Sequence, residues 1–466
     1  MDELIAVTTQ FKPPLEPDFY PAALFSRAYR GKLHQEGGGQ PFVFGIERSA
    51  GALSRFETAV FPAEHTWAKY NLFYLERILK FLLWQRGGFR VYLGGPKALG
   101  QQLQAIYQPG RARDFDQAFM GVQVYGQPFE LVICQPDEVP AAQERGQALG
   151  RHLEGCRIGF DLGASDRKVS AVIDGQVVYS EEVIWQPRQQ DDPDYHYREI
   201  MTALRTAAGK MPRVDAIGGS SAGIYIDNRP KVASLYRGVP AERFGEIENL
   251  FLRIRAELGV PLEVINDGDV TALAGSMSLE DNGVLGIAMG SSEATGYVDL
   301  QGKILGWLNE LAFAPVDYQS TAARDEWSGD RGVGALYFSQ QCVFRLAPRA
   351  GIAIPTGITD AEKLKFVQEL LETGHLGARQ IWESMGIYLG YTLAHYADFY
   401  DIRHVLILGR CTSGQGGDLL LNGARRVLQA EFPELAETIN VQLPDEKSRR
   451  VGQSIAAASL PEIPVN

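Results

Sequence analysis

Cysteine is scarce in this chain: Cys134, Cys156, Cys342 and Cys411 are the only four, and they lie far apart with no CxxC pair. That spacing argues against a disulfide framework or a structural zinc site, and reduced, buried thiols are expected. Long apolar runs are also missing. The longest, Ile78 to Trp84, is interrupted by Lys80 and falls far short of the roughly 20 residues that span a bilayer. The opening MDELIAVTTQFKPPLEPDFYP starts acidic and has no apolar core of signal-peptide length, so a soluble cytoplasmic protein without a membrane partner is expected. Positive charge is in deficit, with 45 Lys plus Arg against 57 Asp plus Glu and a formal charge of −12. Such a balance speaks against nucleic acid as a partner. What the chain has in quantity is glycine, 50 of 466 residues, on a background of 45% hydrophobic residues that suits sizeable cores. At roughly 150 residues per domain, about three structural units are expected.

Residues up to about 40 carry Pro, Gly and aromatics without clear periodicity, and read as an irregular arm wrapping a neighbouring domain or subunit. From Pro41 to Pro62 two strands flank a glycine-bearing turn. Leu72, Leu75, Ile78, Leu79, Leu82 and Leu83 recur at helical spacing, and Gly87-Gly88 supplies the stop. A strand at FRVYLGG, a helix from Pro96 to about Tyr107, two strands near 119–134 and an acidic linking helix over 135–152 complete an N-terminal α/β region, residues 1–150. A second pattern starts at Arg157: three strands joined by tight turns, a helix near 195–209, a buried strand in VDAIGGSSAGIYID, a helix over 241–258, the strand PLEVIND and a helix in VTALAGSMS. Hairpins return from Gly283, followed by a largely helical part with strands HVLILG and TINVQLP. Hairpins followed by helices, twice over, predict two α/β lobes, 151–275 and 276–466. FVFGIERSAG at 42–51 echoes RIGFDLGAS at 157–165, which admits a degenerate third copy of the same half-fold in the N-terminal region.

Four segments carry chemistry. In GFDLGASDRK an apolar strand brings in Asp161, Gly163 permits a sharp turn, and backbone amides with Ser165 can face one concave site suited to phosphate. Asp161 is a candidate magnesium ligand, directly or through water, and Lys168 a candidate for neutralising phosphate. A plain hairpin turn would use the same residues. In INDGD, at the end of a strand, Asp267 is placed to accept a proton from a substrate hydroxyl. Asp267 or Asp269 can equally cap the helix that follows, and the two aspartates can divide the tasks. Gly290-Ser291-Ser292 joins two strands as a candidate second phosphate cradle. The loop Gly409-Arg410 to Gly416-Gly417 leaves a strand and opens a helix, an arrangement that suits a nucleotide.

In this order the segments resemble the layout of the actin-like ATPase superfamily, and within it the ROK family of sugar kinases and sugar-responsive repressors. The resemblance covers about 157–460 and implies a two-lobed ribonuclease-H-like α/β fold with an additional N-terminal region. GFDLGASDRKVSAVIDG is similar to the family's first phosphate motif. AIGGSSAGIYIDNRPKV is similar to the start of its sugar site, which implies substrate contacts at Ser221 and Gly223. VPLEVINDGDVTALAG resembles the catalytic segment, implying Asp267 as general base and Asn266 as a sugar contact. GWLNELAFAPVD resembles the segment that places a sugar-binding carboxylate on Glu310, and VLILGRCTSGQGGDLLL the adenosine-side loop. ATP and magnesium as cofactors, a sugar-like substrate and a homodimer are implied. The chain departs from the family where Phe313 replaces a histidine, where the cysteine-rich zinc loop is absent, and where Ser292, Ala294 and Thr295 stand in place of glycines. No zinc and poor glucose recognition are therefore expected. The resemblance implies a kinase; a non-catalytic sensor of sugar or nucleotide, and an ATPase driving a partner protein, are the competing readings.

Five tryptophans, Trp67, Trp84, Trp307, Trp327 and Trp382, read as core or interface anchors. His395 reads as a packed core histidine. The segment 323–337, in the place of the zinc loop, reads as a lid, a dimer contact or a solvated loop.

Overall fold

The computed structural model describes residues 4–144, 149–444 and 446–463. They group into two compact units: Met1–Arg145 with Ile287–Thr295 and Trp307–Leu443, and Gly146–Gly286 with Gly296–Gly306 and Pro444–Asn466. The N-terminal region thus shares a unit with most of the C-terminal lobe, a grouping different from the three-way partition expected from sequence.

The N-terminal stretch is more regular than its composition suggests. Helix α1 (Ala22–Gln35) occupies what was read as an irregular arm; Phe25, Tyr29 and Leu33, four residues apart, form its buried face. The preceding chain is irregular and is fastened by the Glu16 carboxylate, which accepts from Tyr388 at 2.5 Å and Arg349 at 2.6 Å. Strands β1 (Gln40–Glu47) and β2 (Leu53–Val60) form the expected hairpin. Helix α2 (Asn71–Arg86) is buried almost all round and stops at Gly87, whose φ of 74° only glycine takes readily. Then come β3 (Arg90–Gly94), α3 (Lys97–Ile106), α4 (Asp114–Ala118) and β4 (Glu130–Cys134), in a sheet of order β2-β1-β3-β4. Only one of the two strands expected near 119–134 forms. Phe119–Tyr125 coils into a π-helix, with buried Gly121 pressed against the backbone of Gln127 and Phe129. The helix expected over 135–152 is absent from the described part: Pro136 opens a three-residue turn, Pro140 follows, and Gln143 bridges to Leu53.

The second unit is built on β5 (Cys156–Leu162), β6 (Asp166–Ile173) and β7 (Gln176–Ile184), followed by α5 (Pro193–Ala208), β8 (Ala216–Ser221), the small pair β9 (Ile224–Ile226) and β10 (Arg229–Val232), α6 (Phe244–Glu248), α7 (Leu250–Leu258), β11 (Leu262–Asn266) and α8 (Asp267–Leu279). The helix expected over 241–258 is broken into α6 and α7 at Asn249, after a three-residue turn at Ala241–Arg243. Its sheet runs β11-β8-β5-β6-β7, the first three strands parallel and the last three antiparallel. β5 and β8 are central and read as continuous buried runs, as a sheet covered on both faces demands.

The chain then forms β12 (Val284–Met289), β13 (Glu293–Val298), α9 (Gln340–Leu346), α10 (Asp360–Glu372), α11 (Leu376–Tyr396), β14 (His404–Leu408), α12 (Gln415–Glu431), α13 (Pro433–Ala436) and β15 (Asn440–Gln442), with sheet order β13-β12-β14-β15. Helix α14 (Glu446–Ala458) returns to the second unit. It lies so close on the sheet that a Cβ on Gly218 would sit 1.6 Å from the Ala457 carbonyl oxygen. No helix among the described residues is long and apolar enough to cross a membrane.

Candidate functional site

The residues singled out from sequence fall into two sets, one in each unit. In the second unit the parallel strands β5, β8 and β11 end together, the place where open α/β sheets present ligand-binding groups. Register puts Asp161 opposite Ser220, and Ser221 between Leu162 and Asn266. Ser220 donates to Asp161 Oδ1 at 2.6 Å. Asn266 is the N-cap of α8: its Oδ1 accepts from the Gly268 amide at 2.7 Å, and its Nδ2 donates to the Gly223 carbonyl at 2.8 Å. Asp269 is buried and accepts from the Tyr297 amide at 3.2 Å. The capping and tethering tasks are therefore taken by Asn266 and Asp269. Asp267 is left as the half-buried carboxylate at the strand end, touched by the Gly268 amide at 3.0 Å.

Two carboxylates thus stand near each other with little positive charge between them. Burial, and then the charge of Asp161, push the Asp267 carboxyl up to about 6, against the pull of the Gly268 amide. Burial also raises Asp161, with Ser220 and Lys168 opposing. Lys168 is itself 3.5 Å from Asp166. The turn between β5 and β6 is tight: the Gly163 amide donates to the Asp166 carbonyl at 3.0 Å, and Trp185 Nε1 donates to the Gly163 carbonyl at 2.8 Å. Gly163 is not in the left-handed region, so the turn does not need glycine for its φ. Ser165 is exposed and donates to Asp166 Oδ2 at 2.9 Å. Magnesium is commonly held by one or two carboxylates completed by substrate phosphate and water, and an oxygen-donor pair short of positive charge fits that description. Among the described residues no cluster of three or more His, Cys, Asp or Glu forms a ready-made metal site.

The second set lies in the first unit. Asn309 takes a φ of +51°, its amide and that of Glu310 donating at 2.9 Å to the Gln85 and Trp84 carbonyls at the end of α2. Glu310 is half-buried at the start of a short 3-10 turn, Leu311–Phe313. The Phe313 ring packs on Trp84 at 4.5 Å and Phe115 at 5.7 Å, so it joins the aromatic core of the N-terminal region. Ser291 and Ser292 are exposed, and the turn is closed by the Gly290 amide on the Ser292 carbonyl at 3.0 Å. The Gly290 carbonyl in turn accepts from Gln340 at 2.9 Å. Thr295 faces inward and donates to the Asn309 carbonyl. Gly409, at φ +99°, presses against the Met289 backbone, where any Cβ would clash. Arg410 is exposed and its carbonyl accepts from Gln368 at 2.8 Å. Gly416 and Gly417 are buried at the start of α12, backed by the Trp382 indole and the Thr412 carbonyl. The free amide at that helix start is already engaged: Gln415 N donates to Glu372 at 2.9 Å.

No family model and no curated protein matches the sequence. Among solved structures, a ROK family transcriptional regulator, a homolog of the E. coli MLC protein, aligns with TM-score 0.51 and 18% identity over 66% of this chain and 79% of that one. The fold is the ROK fold. A ROK glucokinase from Streptomyces griseus, in complex with glucose and AMPPNP, aligns at TM-score 0.49 and 19% identity over 65% of this chain and 99% of that one. A ROK hexokinase from Thermus thermophilus aligns at 0.49 and 18% over 65% and 97%. At these identities the likeness fixes the fold and leaves the chemistry to the residues. The expected fold class, α/β and ribonuclease-H-like, is the one found.

Several residues beside the two sets were not singled out. Tyr225 shares a 2.6 Å hydrogen bond with Ser221. Glu293, in the second hairpin, is buried; it accepts from Tyr396 at 3.2 Å through one oxygen while the other meets no partner. Burial pushes its carboxyl up to about 8, the Tyr396 hydroxyl opposing and the charge of Glu310 adding. A glutamate in a buried strand, where β-branched residues are usual, was the available signal. The segment 323–337 is not wholly solvated: Asp325, Ser328 and Asp330 are drawn inward, and Asp330 meets Arg77, Lys80 and Arg113. Of the five tryptophans, Trp84 and Trp382 are buried in the core, Trp67 and Trp307 are half-buried, and Trp327 is 77% exposed. His395 is core, as expected.

Proposed function

We propose that the chain is a divergent ROK-family phosphotransferase that uses ATP and magnesium to phosphorylate a hydroxyl of a sugar or sugar-like polyol. The observation that carries this reading is Asp267, a carboxylate at the end of β11 that its neighbours leave free of capping duty and whose carboxyl sits at about 6. At neutral pH it is ionised, yet basic enough to take a proton from a hydroxyl as the phosphoryl group is transferred. Asp161, with Ser220 behind it, would hold magnesium, which when bound neutralises phosphate oxygens. Gly163, Ser165 and Lys168 are assigned to phosphate, as are Gly290, Ser291 and Ser292. Gly409, Arg410, Gly416 and Gly417 are assigned to the nucleotide. Ser221, Gly223, Asn266 and Glu310 are assigned to the sugar, the first three fixed by the Tyr225, Val232 and Gly268 contacts around them. Phe313, turned onto Trp84, offers no hydrogen bond to a hydroxyl, so glucose is expected to be a poor substrate and zinc unnecessary.

The test is a thermal-shift screen with magnesium-ATP and a panel of hexoses, deoxyhexoses and substituted sugars, followed by turnover on each hit. Ligands that bind the native state raise its melting temperature by mass action. Stabilisation by both a sugar and magnesium-ATP, followed by phosphorylation, is expected; no response to magnesium-ATP at millimolar concentration would sink the kinase reading. A second reading, a sugar sensor without turnover, is favoured by one observation: Ser292 and Ala294 add side chains to a hairpin that would have to approach phosphate closely. It predicts stabilisation by sugar alone.

A further inference from the structure

The first unit holds a cavity of about 730 Å³ that none of the assigned residues lines. Its size falls in the range of small-molecule sites, and its walls carry the mixture such sites show: aromatic rings with a few polar groups. Tyr20, Tyr70, Phe73 and Tyr318 supply the rings, while Glu76 and Arg113 stand at one end. These two are paired with each other at 2.5 Å and are almost wholly buried. Lys69 lies at the exposed edge. Its ammonium lies 4.9 Å from the Tyr70 ring, and it has no acidic partner among the described residues.

The buried charges behind the cavity balance. Arg77, Lys80 and Arg113 face Glu76, Asp116 and Asp330, with contacts of 2.6 Å for Arg77–Glu76, 2.7 Å for Lys80–Asp116 and 3.0 Å for Arg113–Asp330. Among the described residues that line the cavity, the charge left without an opposite partner is therefore that of Lys69, and it is positive. We infer that this cavity binds a small ring compound carrying one anionic group, its ring against the tyrosines and its charge at Lys69.

The same geometry ties the cavity to Glu310. Helix α2 contributes Leu72, Phe73 and Glu76 to the cavity at one end. At its other end, the Trp84 and Gln85 carbonyls hold the Glu310 and Asn309 amides. Between them, Lys80 and Trp84 Nε1 both meet Asp116 Oδ1, at 2.7 and 2.6 Å, and the Trp84 ring carries Phe313. Tyr318, Gln319 and Ser320, which also line the cavity, follow the Glu310 turn in the chain. Occupancy is thus expected to bear on that turn through α2 and the Lys80–Asp116–Trp84 contacts. The consequence for catalysis rests on the proposed role of Glu310; the binding site itself does not.

The experiment uses the full chain and calorimetric titration with four probes: hexose 6-phosphate and indole-3-acetate as ring anions, glucose and indole-3-ethanol as their uncharged counterparts. At least one anion is expected to bind with one-to-one stoichiometry, at least tenfold tighter than its counterpart. Lys69→Glu, at an exposed position, should weaken it at least tenfold, and Ser320→Trp should abolish it by filling the cavity. Amide hydrogen exchange over 309–313 should slow when the probe is bound. Failure of both anions to bind better than their counterparts overturns the site, as does binding that survives both substitutions. Binding without any change over 309–313 overturns the link to Glu310. None of these readouts depends on phosphoryl transfer, so the kinase reading stands or falls separately.

Discussion

The hairpins at 40–60 and 156–173 are written in nearly the same pattern, and they differ in what the next strand brings. In one, Gly45-Ile46-Glu47 ends β1; in the other, Gly159-Phe160-Asp161 nears the end of β5. β3 pairs antiparallel with β1 and sets Arg90 directly opposite Glu47, where it forms a 3.0 Å ion pair supported by Tyr92 at 3.3 Å. β8 pairs parallel with β5 and sets Ser220 opposite Asp161. One carboxylate is neutralised by its neighbour strand. The other faces Lys168 of β6 with no ion pair to it among the described residues, and a second carboxylate, Asp267, stands near. This difference in strand direction also excludes the third-copy reading of the N-terminal region, since a half-fold of this kind has the parallel partner there. The lesson is that local pattern makes a hairpin, while the strand laid beside it decides whether its acid is structural or available for chemistry.

The sharpest way to break the comparison is to remove each carboxylate's function in turn. Asp267→Asn should lower turnover on the identified substrate by about 10²–10⁴-fold, the range for a lost general base, while Glu47→Gln leaves kcat within a factor of two to three. Equal losses in both would place the difference in folding and remove Asp267 from the mechanism.

Next in size is the pair of matching glycines. A Cβ at Gly159 would meet the Ser454 carbonyl oxygen of α14 at 2.1 Å, whereas one at Gly45 meets a Val139 methyl at 2.6 Å. Backbone cannot step aside and a side chain can, so Gly159→Ala should cost about 3 kcal/mol or more and Gly45→Ala about 1 kcal/mol, read by urea unfolding. The reverse order would mean that α14 yields more readily than its packing indicates.

Removing each carboxylate should also change stability in opposite directions. The folded-state value of about 6 for Asp267 lies above its ordinary 3.8, so the folded protein holds that proton more tightly than the unfolded chain. Stability from this group is then fully present below about pH 4 and is lost as pH rises to about 6. Asp267→Asn should therefore be more stable than the parent at pH 7, by on the order of 1–2 kcal/mol, the gap closing toward pH 4. Glu47→Gln loses a partly exposed ion pair and should be less stable, by about 0.2–1 kcal/mol, with the loss shrinking at high salt. A destabilised Asp267→Asn at pH 7 would show that the Asp161 charge is relieved by something other than a bound cation.

A narrower prediction concerns the metal. Asp161→Ala should weaken ATP binding in the presence of magnesium and leave metal-free ATP binding unchanged, while Glu47→Ala alters neither. Equal ATP affinity with and without magnesium in the parent would remove the metal role from Asp161.

Much of this was written locally. The β5–β6–β7 hairpins, the strand ends at Ser221 and Asn266, and α2 with its Gly87 stop follow from alternation, helical spacing and glycine placement. Local pattern misled where tertiary contacts overrode it. Phe119–Tyr125 is β-branched and aromatic yet coils, because Gly121 lets the 127–129 backbone close over it. Helix α1 was hidden by surrounding Pro and Gly although Phe25, Tyr29 and Leu33 keep helical spacing. Glu16, Asp116 and Asp330 gave no local sign of burial, since their partners lie 36 to 372 residues away in sequence.

By itself, then, the sequence determined where the chain turns, which strands are central, and that an Asn-Asp pair stands at the end of one of them. Those follow from short-range sterics and from the period of the apolar residues. Only the tertiary structure decided that Asn266 caps and Asp267 does not, that Glu47 is paired and Asp161 is not, and that Phe313 turns to Trp84. Each of these depends on which distant segment supplies the neighbouring charge or surface, and desolvation and pairing have no local signature in a chain.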